Sequence, residues 1–126
     1  MIIWLSNKVH NLGSDQLKVA LTNSAPVATN TVLANITDIS YTNCSTRNLT
    51  LTSSTQSSGT YSLILADLTL TASGTVGPFR YVVFYNSTAS GGPLIGWYDY
   101  GASITLNSPE TFLIDLDNVN GLLQIV

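Results

Sequence analysis

The sequence predicts an all-β domain: a single β-sandwich, jelly-roll-like or related, of eight or nine short strands preceded by a short helix or arm. Three observations carry that expectation. From Leu17 onward, apolar side chains recur mostly at every second position, the period of a half-buried strand. Clusters of Asn, Ser, Gly and Pro interrupt the pattern every 8–12 residues or so, the rhythm of sandwiches and barrels. Thr, a β-branched residue suited to the solvent face of a strand, occurs 16 times, and with 15 Ser and 11 Asn it makes up a third of the 126 residues.

Residues 1–13 read differently and form a separate arm, with the sandwich domain over 14–126. Ile2, Leu5, Val9 and Leu12 are spaced by three, four and three, which places them on one face of a helix. Lys8 and His10 suit the negative end of the helix dipole, and Gly13 follows in the place of a C-cap. A helix this short is marginal in water and has to dock. Its apolar knob, Ile2, Ile3, Trp4 and Leu5, is a candidate anchor for a partner, with docking on its own domain as the alternative.

In the domain, Leu17, Val19 and Leu21 alternate with polar or small residues and predict a strand ended by Asn23-Ser24-Ala25-Pro26. Residues 29–41 fit either one helical turn or a broken strand. Asn48 to Thr52 alternates again, then a Ser/Thr/Gln/Gly loop runs to Gly59. Tyr61, Leu63 and Leu65 predict a strand, Asp67 a bend, and Leu68 to Thr71 another strand. Phe79 to Tyr85 is apolar on nearly every residue and predicts a central strand covered on both faces. Further strands are expected at Leu94 to Tyr100, Ala102 to Leu106 and Thr111 to Leu116. Asn120-Gly121 predicts a hairpin joining Phe112–Leu116 to Leu122–Val126.

Charge and cysteine content exclude several classes of function. Four basic residues face seven acidic ones, for a net charge of −3. Binding to nucleic acid rests on Lys and Arg neutralising phosphates, and four scattered cations do not make such a surface. Anionic membranes are disfavoured for the same reason. Cys44 stands alone, so no intrachain disulfide forms. The leading residues lack the charged start and long apolar run of a signal peptide, and no run of 18 apolar residues occurs. A chain made in the cytoplasm and not secreted is the expectation.

Chemistry-bearing residues are few, and they predict neither an enzyme, nor a metal site, nor a cofactor. One His and one Cys close no zinc shell, and a Ser-His-Asp arrangement would depend on His10 in the arm. Asp115 to Gly121 resembles a calcium loop but misplaces its glycine and has Val126 where the closing Glu belongs. Asp99, Glu110, Asp115 and Asp117 contain no pair marked out for glycoside hydrolysis. Asn-X-Ser/Thr sequences at Asn35, Asn43, Asn48 and Asn86 follow from composition. The aromatic group Trp97, Tyr98 and Tyr100 is more informative. In a strand Tyr98 and Tyr100 share one face and Trp97 takes the other. They belong to the sandwich core, to an oligomer interface or to a sugar-stacking platform.

Three stretches carry a resemblance: Leu17 to Pro26 (Leu17-Lys18-Val19-Ala20-Leu21-Thr22), Gly77 to Asn86 (Gly77-Pro78-Phe79-Arg80-Tyr81-Val82-Val83-Phe84-Tyr85) and Pro93 to Gly101 (Pro93-Leu94-Ile95-Gly96-Trp97-Tyr98-Asp99-Tyr100). Together they resemble the small structural proteins that decorate, or cement, the heads of tailed bacteriophages. The resemblance implies a β-sandwich on the outer capsid surface of the virion, bound to the major capsid protein and assembled as a homo-oligomer, for which a trimer is preferred over a dimer. It brings no defined site residues. A tail-fibre or receptor-binding module recognising host glycans, or a free carbohydrate-binding module, shares the same composition and would use Trp97, Tyr98 and Tyr100.

Overall fold

Apolar alternation from Leu17 onward is realised as strands, and the computed structural model, which describes residues 9–126, is all-β as expected. The strands are β1 (Leu17–Thr22), β2 (Leu51–Ser57), β3 (Thr60–Leu65), β4 (Leu68–Thr71), β5 (Val76–Asn86), β6 (Leu94–Leu106), β7 (Thr111–Ile114) and β8 (Leu123–Ile125). They form three antiparallel sheets, ordered β1-β5-β6, β2-β3-β8 and β4-β7. The architecture is sandwich-like but unclosed.

Strand β5 sits at the centre of the first sheet, as its continuous apolar run predicts. Its alternate residues bury against different neighbours. Val82 and Phe84 join Val19 and Leu21 in the main core with Leu63, Leu65, Leu70, Ile114 and Leu116 from the facing sheets. Val83 and Tyr85 join Ala20 and Leu94 in a second cluster, covered by Ile36 of the connection after β1 and, more loosely, by Leu33. That connection, the ambiguous stretch at 29–41, contains a single 3-10 turn at Leu33–Asn35. Asn35 closes it by accepting from the Thr31 and Val32 N–H groups through Oδ1.

Four local expectations are corrected. Residues 9–13 are not helical: Ser14 and Asp15 N–H both bond the Asn11 carbonyl in one turn, and Asp15 Oδ2 accepts from Asn11 N–H at 2.8 Å. The short polar side chain competes for the backbone and wins. Residues 53–57 belong to β2, and the tight turn Ser58-Gly59 (φ +52° and +83°) makes a two-residue hairpin to β3. The strands expected at 94–100 and 102–106 are one strand, β6, continuous through Gly101 at φ +94°. Asn120-Gly121 turns the chain but closes no hairpin, because β7 pairs with β4 while β8 pairs with β3. The Gly121 turn passes directly under the Leu63 carbonyl, and Leu122 N–H donates to that carbonyl at 2.8 Å. Tertiary pairing with β3 outcompetes the local hairpin.

Candidate partner interface

The first sheet has two edges, and they are finished differently. At the β1 edge, the backbone groups are taken up by the connection running through residues 38–49. Val19 N–H donates to the Arg47 carbonyl, Leu49 N–H to the Leu17 carbonyl and Ile39 N–H to the Leu21 carbonyl. Side chains complete the seal. Leu21 N–H donates to the Tyr41 hydroxyl at 3.0 Å, and Arg47 Nη1 donates to the Val19 carbonyl at 2.7 Å. The Arg47 guanidinium lies 3.6 Å over the Tyr41 ring, a cation–π contact. Burial pushes the Tyr41 hydroxyl well above its ordinary pKa, so it stays a neutral partner.

Beyond its first residue, where Leu94 N–H donates to the Thr31 carbonyl, the β6 edge has no such cover among the described residues. Strand β6 crosses from the first sheet toward β7, the free strand of the β4-β7 pair, through the turn at 107–110, and the two strands are not hydrogen-bonded to each other. They diverge instead and leave a cleft of about 240 Å³ lined by Val82, Tyr98, Tyr100, Phe112, Leu113 and Asp115, among others. This is the open corner of the sandwich.

The parity argument places the aromatics correctly. Tyr98 pairs with Val82 and lies on the inner face, where its ring meets Phe84 edge-on at 5.1 Å. Tyr100 meets Phe112 edge-on at 5.2 Å, and Phe112 meets Phe79 in the same way. Yet Tyr98 and Tyr100 are 47% and 56% exposed, and Leu113 beside them is 55% exposed. The two inner-face tyrosines are thus left in water because no strand covers them among the described residues, whereas Leu113, which alternates with the core-facing Phe112 and Ile114, is exposed on the outer face of β7. Trp97 is half-buried on the other side, against the second cluster, and takes no part in the cleft. The Phe112 and Leu113 contribution was hidden in the sequence by the hairpin expected at Asn120-Gly121, which would have covered β7.

Charge near the cleft is mostly spent. Arg80 and Asp99 form a two-pronged ion pair at 2.8 and 3.1 Å, and Gly101 N–H donates to the same carboxylate. Arg80 first, then the Gly101 N–H, hold the Asp99 carboxyl below its usual range. As an exposed pair it fixes the β6 backbone more than it stabilises the fold. Asp115 has no ion-pair partner among the described residues.

The other candidates have structural roles. Ile2, Ile3, Trp4 and Leu5 lie outside the described residues. His10 Nδ1 accepts from Asn86 Nδ2 at 3.0 Å and is tied into the end of β5. Cys44 is half-buried in an isolated bridge to Ala72, and burial raises its thiol pKa. Asp117 accepts from Val119 and Asn120 N–H and from the Asn120 side chain, so its carboxylate is occupied by its own turn. No group of three or more His, Cys, Asp or Glu able to hold a metal occurs among the described residues, and no helix there is long and apolar enough to cross a membrane. Set beside protein-family models, curated proteins and solved structures, the chain matches none of them.

Proposed function

We propose that this chain is a non-enzymatic structural protein of a tailed-bacteriophage particle, a homo-oligomer that decorates the outside of the head and bridges major capsid protein subunits. The observation that supports this reading most is the asymmetry of the first sheet. One edge is sealed by backbone and side-chain bonds, and the other exposes Tyr98 and Tyr100 beside β7, to which it is not hydrogen-bonded and where Leu113 is exposed. Bare, apolar sheet edges are a liability in a free monomer and are normally blunted. Left open on a small domain, such an edge serves association. The low charge density keeps that association insensitive to salt, and modest contacts repeated over a symmetric shell sum to tight attachment.

A glycan-binding reading draws on the two half-exposed tyrosines. The cleft argues against it on size: about 240 Å³ falls below the ~300–1,000 Å³ usual for ligand sites. It suits one anchoring side chain of a protein partner better than an oligosaccharide.

Co-sedimentation of the purified chain with heads that lack it tests the proposal. Saturable, stoichiometric binding that Leu113→Lys weakens at least tenfold is the expected result. A chain that ignores heads at micromolar concentration but binds a glycan array, and loses that binding in Tyr98→Ala, belongs to the glycan-recognising class.

A further inference from the structure

The turn before β8 contains two adjacent residues that can react with each other. In an Asn-Gly pair the asparagine side-chain amide lies next to a backbone nitrogen that no side chain shields. That nitrogen attacks the asparagine Cγ, and the new N–Cγ bond closes a five-membered succinimide. The Cγ–Nδ2 bond breaks, and ammonia leaves with the proton given up by the glycine nitrogen. Water then opens the ring at either carbonyl. The product is aspartate or, with the main chain rerouted through Cβ and Cγ, isoaspartate. No oxidant or reductant is required. Asn120-Gly121 is the one such pair in the sequence.

The fold requires the glycine of that pair. Gly121 holds φ +84° and passes under the Leu63 carbonyl, where a Cβ would collide. Leu122 N–H bonds the same carbonyl at 2.8 Å and starts the pairing of β8 with β3. A shielding side chain at 121 is therefore excluded, and protection has to come from another residue. Asp117 supplies it. Its Oδ1 accepts from Val119 and Asn120 N–H at 2.8 Å each, and its Oδ2 accepts from Asn120 Nδ2 at 3.0 Å. Its carbonyl accepts from Gly121 N–H at 3.2 Å. Both reacting groups are thus tied to one residue: the amide that would be attacked and the N–H that would have to lose its proton. The same bonds, Asn120 N–H first, hold the Asp117 carboxyl below its usual range, so it stays a charged acceptor. Residues 117–120 are exposed, so the turn can open locally while the core stays folded.

We propose that Asn120 is a latent deamidation site, withheld in the folded chain by Asp117, and that its conversion to isoaspartate releases β8 from β3. The release follows from the product. Isoaspartate adds one carbon to the main chain directly before the residue that has to fit under the Leu63 carbonyl. It also removes the Nδ2 donor and leaves a second carboxylate in the turn with Asp117, so an attraction becomes a repulsion between like charges. Strand β8, with three residues, has few bonds to resist it. The inference does not depend on the virion reading.

Peptide mapping of the full chain by mass spectrometry, with fragmentation that separates aspartate from isoaspartate, measures the rate at position 120. In mildly alkaline buffer the folded wild type is expected to convert at least tenfold more slowly than the same chain in guanidinium chloride. Asp117→Ala, shown to be folded by circular dichroism, is expected to recover most of that difference. Gly59→Ala, which loosens a different turn, should keep the wild-type rate. The purified isoaspartyl form is expected to lose amide protection at Leu123 to Ile125 and to keep it along β5. Equal rates in the folded and unfolded wild type overturn the proposal. So does an Asp117→Ala chain as slow as the wild type, a Gly59→Ala chain as fast as Asp117→Ala, or an isoaspartyl form with β8 still protected.

Discussion

Asn86 holds two distant segments together with one fully buried side chain. Its Oδ1 accepts from Thr88 and Ala89 N–H, and its Nδ2 donates to both Asp15 Oδ2 and His10 Nδ1. Asn86→Ala takes the side-chain partner from the Thr88 and Ala89 N–H groups and leaves the Asp15 carboxylate with Asn11 N–H alone, at about 1–3 kcal/mol for each group left buried without a partner. Urea unfolding is expected to show a loss of at least ~2 kcal/mol. The same network makes stability depend on pH. An imidazolium at position 10 would turn an N–H toward the Asn86 N–H, and burial lowers the His10 pKa from 6.5, although Asp15 pulls it the other way. A base whose folded pKa lies below its unfolded value binds its proton better when unfolded. Stability is therefore full above about pH 6.5, falls as the pH drops through 6.5 toward the folded value, and levels off below it. His10→Gln keeps an acceptor without the titration, so the difference between urea midpoints at pH 7.5 and 5.5 should shrink. An unchanged difference would remove His10 from the account. None of this was legible in the sequence, where Asn86 registered as part of a glycosylation triplet and as the end of one resembling stretch, because partners 71 and 76 residues away leave no local pattern. The parity of Trp97, Tyr98 and Tyr100 was legible, since it follows from strand geometry alone.

At the scale of elements, two glycines show why strands were easier to read than their pairing. Gly59 and Gly121 both hold positive φ, +83° and +84°. A Cβ on Gly59 would meet nothing within 4 Å, whereas on Gly121 it would strike the Leu63 carbonyl. Gly59→Ala should therefore cost only the conformational penalty, about 1 kcal/mol. Gly121→Ala should cost distinctly more and unpair β8 from β3, seen as lost amide protection at Leu123 to Ile125. Equal effects on the urea midpoint would contradict the close approach. In the β2–β3 hairpin, Ser58→Asn suits φ +52° better and is expected to gain a few tenths of a kcal/mol. Periodicity located β1, β3, β4, β5 and β7, where one face or both are buried. It missed β2, whose Ser, Thr and Gln residues lie on an edge with little apolar contrast. Asn120-Gly121 signalled a turn, which exists, but the identity of the strands a turn joins is decided by burial elsewhere.

For the whole molecule, the main core and the second cluster account for the fold, and the sealed β1 edge and open β6 edge carry the proposed use. Leu70, fully buried in the main core, tests the first part: Leu70→Ala is expected to lower stability by about 2–5 kcal/mol without altering the cleft. The all-β class was legible because Thr enrichment and a two-residue period persist over most of the chain. The open corner was not, since it is created by a missing pairing between β6 and β7, and no residue encodes an absence. The arm boundary also shifts in this light. Leu12 packs on the core and Asp15 on Asn86, so a truncation that spares the domain removes residues 1–8 rather than the whole of 1–13. The central claim, that the chain decorates a phage head, is met most directly by its copy number relative to the major capsid protein in purified particles, measured by quantitative mass spectrometry. Near-stoichiometric abundance is the predicted result; a handful of copies, or none, would contradict it.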